Sequence, residues 1–125
     1  MEQQILPLFD EWNAAIQSGN PDQVVALYAT DGILIPTVSN QIRHNHAEIR
    51  DYFAHFLVLE PVATLDEHHV REFGELAINS GIYTFRFANP LEGVNGVTAR
   101  YTFVYQWRGG RWLIIEHHSS RMPEG

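Results

Sequence analysis

Tyr101–Arg121 reads YTFVYQWRGGRWLIIEHHSSR, and the way its two halves pair decides the rest of the fold. Alternating runs flank Gly109-Gly110, the signature of an antiparallel hairpin closed by a two-residue loop. With that loop, Arg108 pairs with Arg111 and Trp107 with Trp112. Regular pairing then sets Tyr105 against Ile114, Phe103 against Glu116 and Tyr101 against His118. Side chains alternate along a strand. One face of the hairpin is therefore expected to carry Tyr101, Phe103, Tyr105, Trp107, Trp112, Ile114, Glu116 and His118. The other carries Arg100, Thr102, Val104, Gln106, Leu113, Ile115, His117 and Ser119. The first face is aromatic until Glu116 and is the natural partner of helices. The second is mixed, as suits a half-exposed face or a subunit contact.

Working outward, residues 62–73, 75–88, 96–107 and 111–121 read as four long strands, separated by turns at Gly74-Glu75, NPLEGVNG and RGGR. Upstream the period changes. Ile5, Leu8, Phe9, Trp12 and Ile16 recur at helical spacing, so roughly the first 17 residues form an amphipathic helix. Gly19 suits its C-cap, and Asn20-Pro21 suits the start of a second, short helix holding Val24, Val25, Leu27 and Tyr28. A short strand, ILIP, ends at Pro36. HAEIRDYFAHFLVL is a third helix with Ile49, Tyr52, Phe53, Phe56 and Leu57 on one stripe. Helices first and antiparallel strands afterwards make an α+β fold, with three N-terminal helices packed on one face of a curved sheet.

The chain of 125 residues is of a size for a single domain, 1–125, with its own core; 45% of it is hydrophobic and 18% charged. Eight basic against 15 acidic residues give a formal charge of −7, which argues against nucleic acid and anionic membranes as partners. Without cysteine, disulfides, thiolate metal sites and a cysteine nucleophile are excluded. The acidic start MEQQILPLFDEW lacks the basic region of a signal peptide, so a cytoplasmic location is expected. The adjacent pairs His68-His69 and His117-His118 cannot each chelate one ion, because strand neighbours point to opposite faces. A cross-strand trio of His69, Glu116 and His118 has suitable ligand types but no local motif. We therefore expect neither a metal nor a cofactor; no Gly-rich dinucleotide motif occurs.

The helices, the stretch SGNPDQVVALYATDGILIPTVSNQIR, the YF helix and the meander ending in GGRWLIIEHHSSRMPEG together resemble the association (hub) domain of calcium/calmodulin-dependent protein kinase II. More closely, the chain resembles stand-alone bacterial relatives of that domain. They sit within the nuclear transport factor 2-like superfamily, with SnoaL-like polyketide cyclases and ketosteroid isomerases. Gly110, Trp112, Leu113, His118, Ser119 and Pro123 carry the likeness in the tail, and IPTVSNQI is a second match. The resemblance implies a cone-shaped, cystatin-like fold with a pocket, and pairing of subunits through their sheets into a homodimer or larger assembly. It places Phe103 and Tyr83 where the hub carries arginines, and puts the hub's pocket histidine near His69. The chain is used up by the fold, so neither kinase activity nor calmodulin binding is expected.

Three functions stay open at this point. The first is a self-associating domain with an aromatic pocket for a small organic ligand. Its pocket residues would be Glu116, His118, His69, Tyr83, Tyr101, Phe103, Tyr105, Arg71 and Trp12, and its interface Arg100, Thr102, His117 and Ser119. The second is a SnoaL or ketosteroid isomerase-type enzyme. Glu116 or His69 would then be the catalytic base, and tyrosines would hold an enolate oxygen. The third is a purely structural oligomerisation module. A carboxylate among aromatic rings is costly to bury unpaired, so the surroundings of Glu116 decide between an ion pair and a base.

Overall fold

The computed structural model describes residues 2–124. In chain order the elements are α1 (Glu2–Gln17), α2 (Pro21–Val25), β1 (Tyr28–Ile35), α3 (His46–Phe56), a 3₁₀ turn (Leu57–Leu59), β2 (Pro61–Phe73), β3 (Leu76–Leu91), β4 (Val94–Arg108) and β5 (Arg111–Arg121). The five strands form one sheet in the order β1-β5-β4-β3-β2. Only β1 runs parallel to its neighbour, β5. This is the expected α+β arrangement of helices on a curved, mainly antiparallel sheet.

Local chemistry explains the helix ends. The Asn20 side chain accepts from the Asp22 N–H and Pro21 opens α2, satisfying donors that the first turn leaves unpaired. Asn45 caps α3 through the Glu48 N–H, while Glu48 reaches back to the N–H of His44. α3 stops short of the expected Leu59: Leu57–Leu59 tightens into a 3₁₀ turn and Glu60 takes φ 52° before Pro61. Proline disfavours a helical conformation in the residue before it. Tyr28, expected in the second helix, is instead the first residue of β1 and pairs with Ile114. Burying its ring in the core outweighs one further helical hydrogen bond.

Ile5, Phe9, Trp12 and Ile16 of α1 and Ile49, Tyr52, Phe53 and Phe56 of α3 are buried against the sheet's inner face. That face is supplied by Tyr83, Phe85 and Phe87 of β3, Tyr101, Phe103 and Tyr105 of β4, and Ile114 of β5. Asn13 ties α1 to the edge strand: its Nδ2 donates to the Ala63 carbonyl at 2.8 Å and its Oδ1 accepts from the Ala63 N–H at 3.0 Å. The edge residue is thereby paired as a sixth strand would pair it.

Two devices bend the sheet. On β2 the pairing passes from Leu65 opposite Tyr83 to Glu67 opposite Ile82, leaving Asp66 as an extra residue. Bulges of this kind bend a strand and raise its twist. Directly beyond it, Gly81 lets the backbones close in; a Cβ there would stand 2.0 Å from the Glu67 carbonyl oxygen.

A second bulge corrects the hairpin register. Gly109 and Gly110 have φ 57° and 87°, and Arg108–Arg111, Trp107–Trp112 and Tyr105–Ile114 pair as the two-residue loop requires. Val104 then pairs with Glu116, so Ile115 is the extra residue. Every partner beyond it shifts by one. Phe103 faces His117 rather than Glu116, and Tyr101 faces Ser119 rather than His118. A one-residue slip exchanges the two faces of a strand. Here it keeps an acid out of the aromatic core and places a neutral imidazole and a hydroxyl inside.

Candidate functional site: a neutral histidine inside the cone

His117, 2% exposed, occupies the centre of the inner wall. Its ring stacks on Phe103 with centroids 4.0 Å apart at 17°, and Trp12 meets it edge-on at 5.4 Å and 88°. β5 delivers the histidine, β4 the phenylalanine and α1 the tryptophan, so three elements must dock before the site exists.

The polar atoms form one chain. Trp12 Nε1 donates to Tyr28 Oη at 3.2 Å, Tyr28 Oη lies 2.8 Å from His117 Nδ1, and Tyr83 Oη lies 3.1 Å from His117 Nε2. An indole N–H can only donate. Tyr28 therefore accepts from Trp12 and uses its own proton toward Nδ1. That makes Nδ1 the acceptor and leaves the proton on Nε2, which donates to Tyr83. The opposite tautomer would strand the buried Tyr28 hydroxyl proton without an acceptor. Tyr83 in turn reaches Ser119 and Thr37, whose hydroxyls bond each other. The direction of donation is thus fixed from Trp12 through Tyr28 and His117 to Tyr83.

Burial pushes the His117 pKa down from 6.5 to about 3, with a smaller push from His118. The imidazole is neutral at physiological pH. Desolvation likewise raises the phenols of Tyr28 and Tyr83 above their ordinary value, so both stay protonated. The site holds hydrogen-bonding capacity with no net charge.

Next to this chain a cavity of about 10 Å³ lies between Trp12, Thr37, Tyr52, Phe56, Tyr83 and His117. That is at the limit for a single water molecule. The aromatic side chains expected to line a pocket therefore fill most of it. Tyr52 and Phe56 also line a cleft of about 260 Å³ at the mouth of the cone, with Val38, Arg43, His55 and Leu59. The Arg43 guanidinium lies 5.4 Å over the Tyr52 ring, a cation–π arrangement that holds the rim.

The residues singled out from the sequence separate into two groups. Trp12, Tyr83, Tyr101, Phe103 and Tyr105 are all buried on the inner face. Glu116 and His118, expected inside, belong to the outer face by the shifted register; Glu116 is half-buried and His118 exposed. His117 and Ser119, expected at an interface, are buried inside the protomer. Arg100 is exposed and Thr102 half-buried on the outer face. His69 and Arg71 are exposed on β2, and His69 Nε2 lies 2.6 Å from Glu67 Oε2. Two strands, β3 and β4, separate β2 from β5, so His69 is not brought together with Glu116 or His118. Among the described residues no cluster of three or more metal-ligating side chains occurs, and no helix is long and apolar enough to cross a membrane.

Thr37 was missed by sequence reasoning through its place in a loop, and Tyr28, a candidate for the pocket mouth, was placed on a helix instead of on β1. One signal could have corrected the register: the cost of burying Glu116 exceeds that of burying a neutral His117.

No curated protein matches this chain. Among solved structures, a Xanthomonas campestris protein named for the calcium/calmodulin dependent protein kinase II association domain is 46% identical. Its TM-score is 0.94, over 100% of this chain and 90% of that one. A nuclear transport factor 2-like protein of unknown function from Pseudomonas putida KT2440 shares the fold at 20% identity and TM-score 0.82, over 95% of this chain and 84% of that one. A cystatin-like protein of unknown function from Nostoc punctiforme does so at 17% and 0.80, over 98% and 91%. The family model for the calcium/calmodulin dependent protein kinase II association domain matches residues 1–123, and the chain belongs to that family.

Proposed function

We propose that this chain is a self-associating module whose outer sheet face docks on a second copy, and whose cone mouth admits a small organic ligand. The carrying observation is the outer face itself. Ile33 and Ile35 of β1, Ile78 and Ile82 of β3, Val104 of β4 and Leu113 of β5 are only half-buried. They are interspersed with Ser80, Arg100, Thr102, Glu116 and His118. An apolar centre with scattered hydrogen-bonding groups is the composition of a subunit contact. Membership of the association-domain family supports the same reading, and a two-fold axis through a sheet face would pair it with itself.

The mouth cleft supports the ligand half of the proposal. It is apolar on Val38, Phe56 and Leu59 and cationic at Arg43, and it shares Tyr52 and Phe56 with the small cavity beside the inner hydrogen-bond chain. A proton-transfer reaction finds less support. Glu116 faces away, and both ring nitrogens of His117 are already engaged by tyrosines.

Sedimentation velocity of the parent and of Val104→Lys tests self-association. The expected result is an assembly for the parent and a folded monomer for the variant. A monomeric parent at micromolar concentration would contradict the proposal.

A further inference from the structure

At the opposite end of β5 from Ser119, a second cleft of about 210 Å³ lies beneath the β4–β5 hairpin. Glu11 of α1, Leu27, Tyr105, Trp107, Arg111 and Trp112 line it. It shares no lining residue with the mouth cleft and plays no part in the His117 chain. Two of its members carry polar atoms that are buried without a hydrogen-bond partner among the described residues: Tyr105 Oη and Trp112 Nε1. Tyr105 is 2% exposed and lines the cleft together with Glu11 and Trp112. Native interiors rarely leave such groups unpaired, and those that remain call for a partner.

The chemistry of the lining narrows that partner. An indole N–H donates only, and a phenol can donate and accept. Both therefore suit an oxygen of the ligand. Glu11 supplies an acceptor for a ligand hydroxyl. Arg111 is pinned at the rim by its Nη2 bond to the Ala26 carbonyl at 3.0 Å. One carboxylate and one guanidinium cancel, so the cleft does not select for an ion. The Trp107 ring, 42% exposed and set at 70° to Trp112 with centroids 5.5 Å apart, offers a flat apolar surface at the edge. The volume lies below the roughly 300–1,000 Å³ of sites for drug-sized ligands and fits a single saturated ring.

We propose that this cleft binds a small uncharged cyclic polyol of monosaccharide size. Its oxygens accept from Tyr105 and Trp112, a hydroxyl donates to Glu11, and its C–H face rests on Trp107.

The three indole N–H signals of Trp12, Trp107 and Trp112 in a proton–nitrogen NMR spectrum report binding directly. The probes are D-glucose and myo-inositol, with benzoate and tetramethylammonium as anionic and cationic comparators. At least one polyol is expected to shift Trp112 saturably while Trp12, inside the cone, stays in place. Glu11→Gln and Trp107→Ala change exposed positions, so the unmoved Trp12 signal certifies their fold; each is expected to weaken binding about tenfold. Tyr52→Phe, at the mouth, should bind like the parent. The proposal is overturned if neither polyol gives a saturable shift, if only benzoate or tetramethylammonium does, or if both cleft variants bind as the parent does.

Discussion

His117 lies flat against Phe103, with ring centroids 4.0 Å apart, and this contact exists only because Ile115 is bulged out of the β5 ladder. The pairing assigns opposite fates to neighbours in the chain. His117→Ala should open a cavity and unpair the Tyr28 and Tyr83 hydroxyls together, costing about 3 kcal/mol or more. Glu116→Gln, on the outer face, should change protomer stability by no more than about 0.5 kcal/mol. Urea unfolding of the two variants compares them. Equal losses would restore the unbulged register.

Acid should destabilise the protein earlier than its carboxylates alone would. The His117 pKa falls from 6.5 to about 3 on folding, so between those values the unfolded chain binds a proton that the folded chain does not. Stability is therefore fully present above about pH 6.5 and declines as pH falls toward 3, by at most about 1.4 kcal/mol per pH unit for this one group. Asp31 and Glu48 are held below their ordinary values of 3.8 and 4.5, Asp31 by Arg108 and Glu48 by the backbone and side chain of His44. Their contributions are lost only at lower pH. Denaturant titrations at pH 5 and pH 7 isolate the histidine, and His117→Phe should flatten the difference between them.

Removing a hydroxyl should have opposite signs at two tyrosines of the same wall. Tyr83→Phe takes away the acceptor of His117 Nε2–H and should cost about 1–3 kcal/mol, because a buried donor is left unpaired. Tyr105 Oη has no partner among the described residues, so Tyr105→Phe should be neutral or mildly stabilising in the absence of ligand. Thermal unfolding of the pair decides it; a large loss at Tyr105 would mean that its hydroxyl is already satisfied.

Gly81→Ala tests the origin of the sheet's curvature. The added methyl would stand 2.0 Å from the Glu67 carbonyl oxygen, and that neighbour is backbone, which cannot rotate away. A loss of about 1–3 kcal/mol is expected, with broadened amide signals along β2 and β3. A silent substitution would place the bend elsewhere.

Much of this was legible in the chain. The helical spacing of Ile5, Phe9, Trp12 and Ile16, the asparagine caps and the Gly109-Gly110 loop each follow from local chemistry, and each stands in the structure. The inner positions of Tyr101, Phe103 and Tyr105 followed from alternation, that of Trp12 from helical spacing, and Tyr83 was pointed to by the family resemblance. What alternation could not supply was the bulge at Ile115, because a bulge is a tertiary decision: it trades one ladder position for the removal of a carboxylate from an aromatic interior. Five residues past the turn, that single event exchanged Glu116 and His118 for His117 and Ser119. Tyr28 escaped for a related reason. Its helical neighbours suggested helix, while the buried partner that draws it into β1 lies 89 positions away.

The account turns on a neutral His117 that accepts from Tyr28 at Nδ1 and donates to Tyr83 from Nε2. The nitrogen chemical shifts of its ring, followed from pH 7 down to pH 4.5, measure both properties at once. The expected result is an Nε2–H tautomer whose shifts stay constant over that range. Titration of His117 near its ordinary value of 6.5, or a proton on Nδ1, would contradict it.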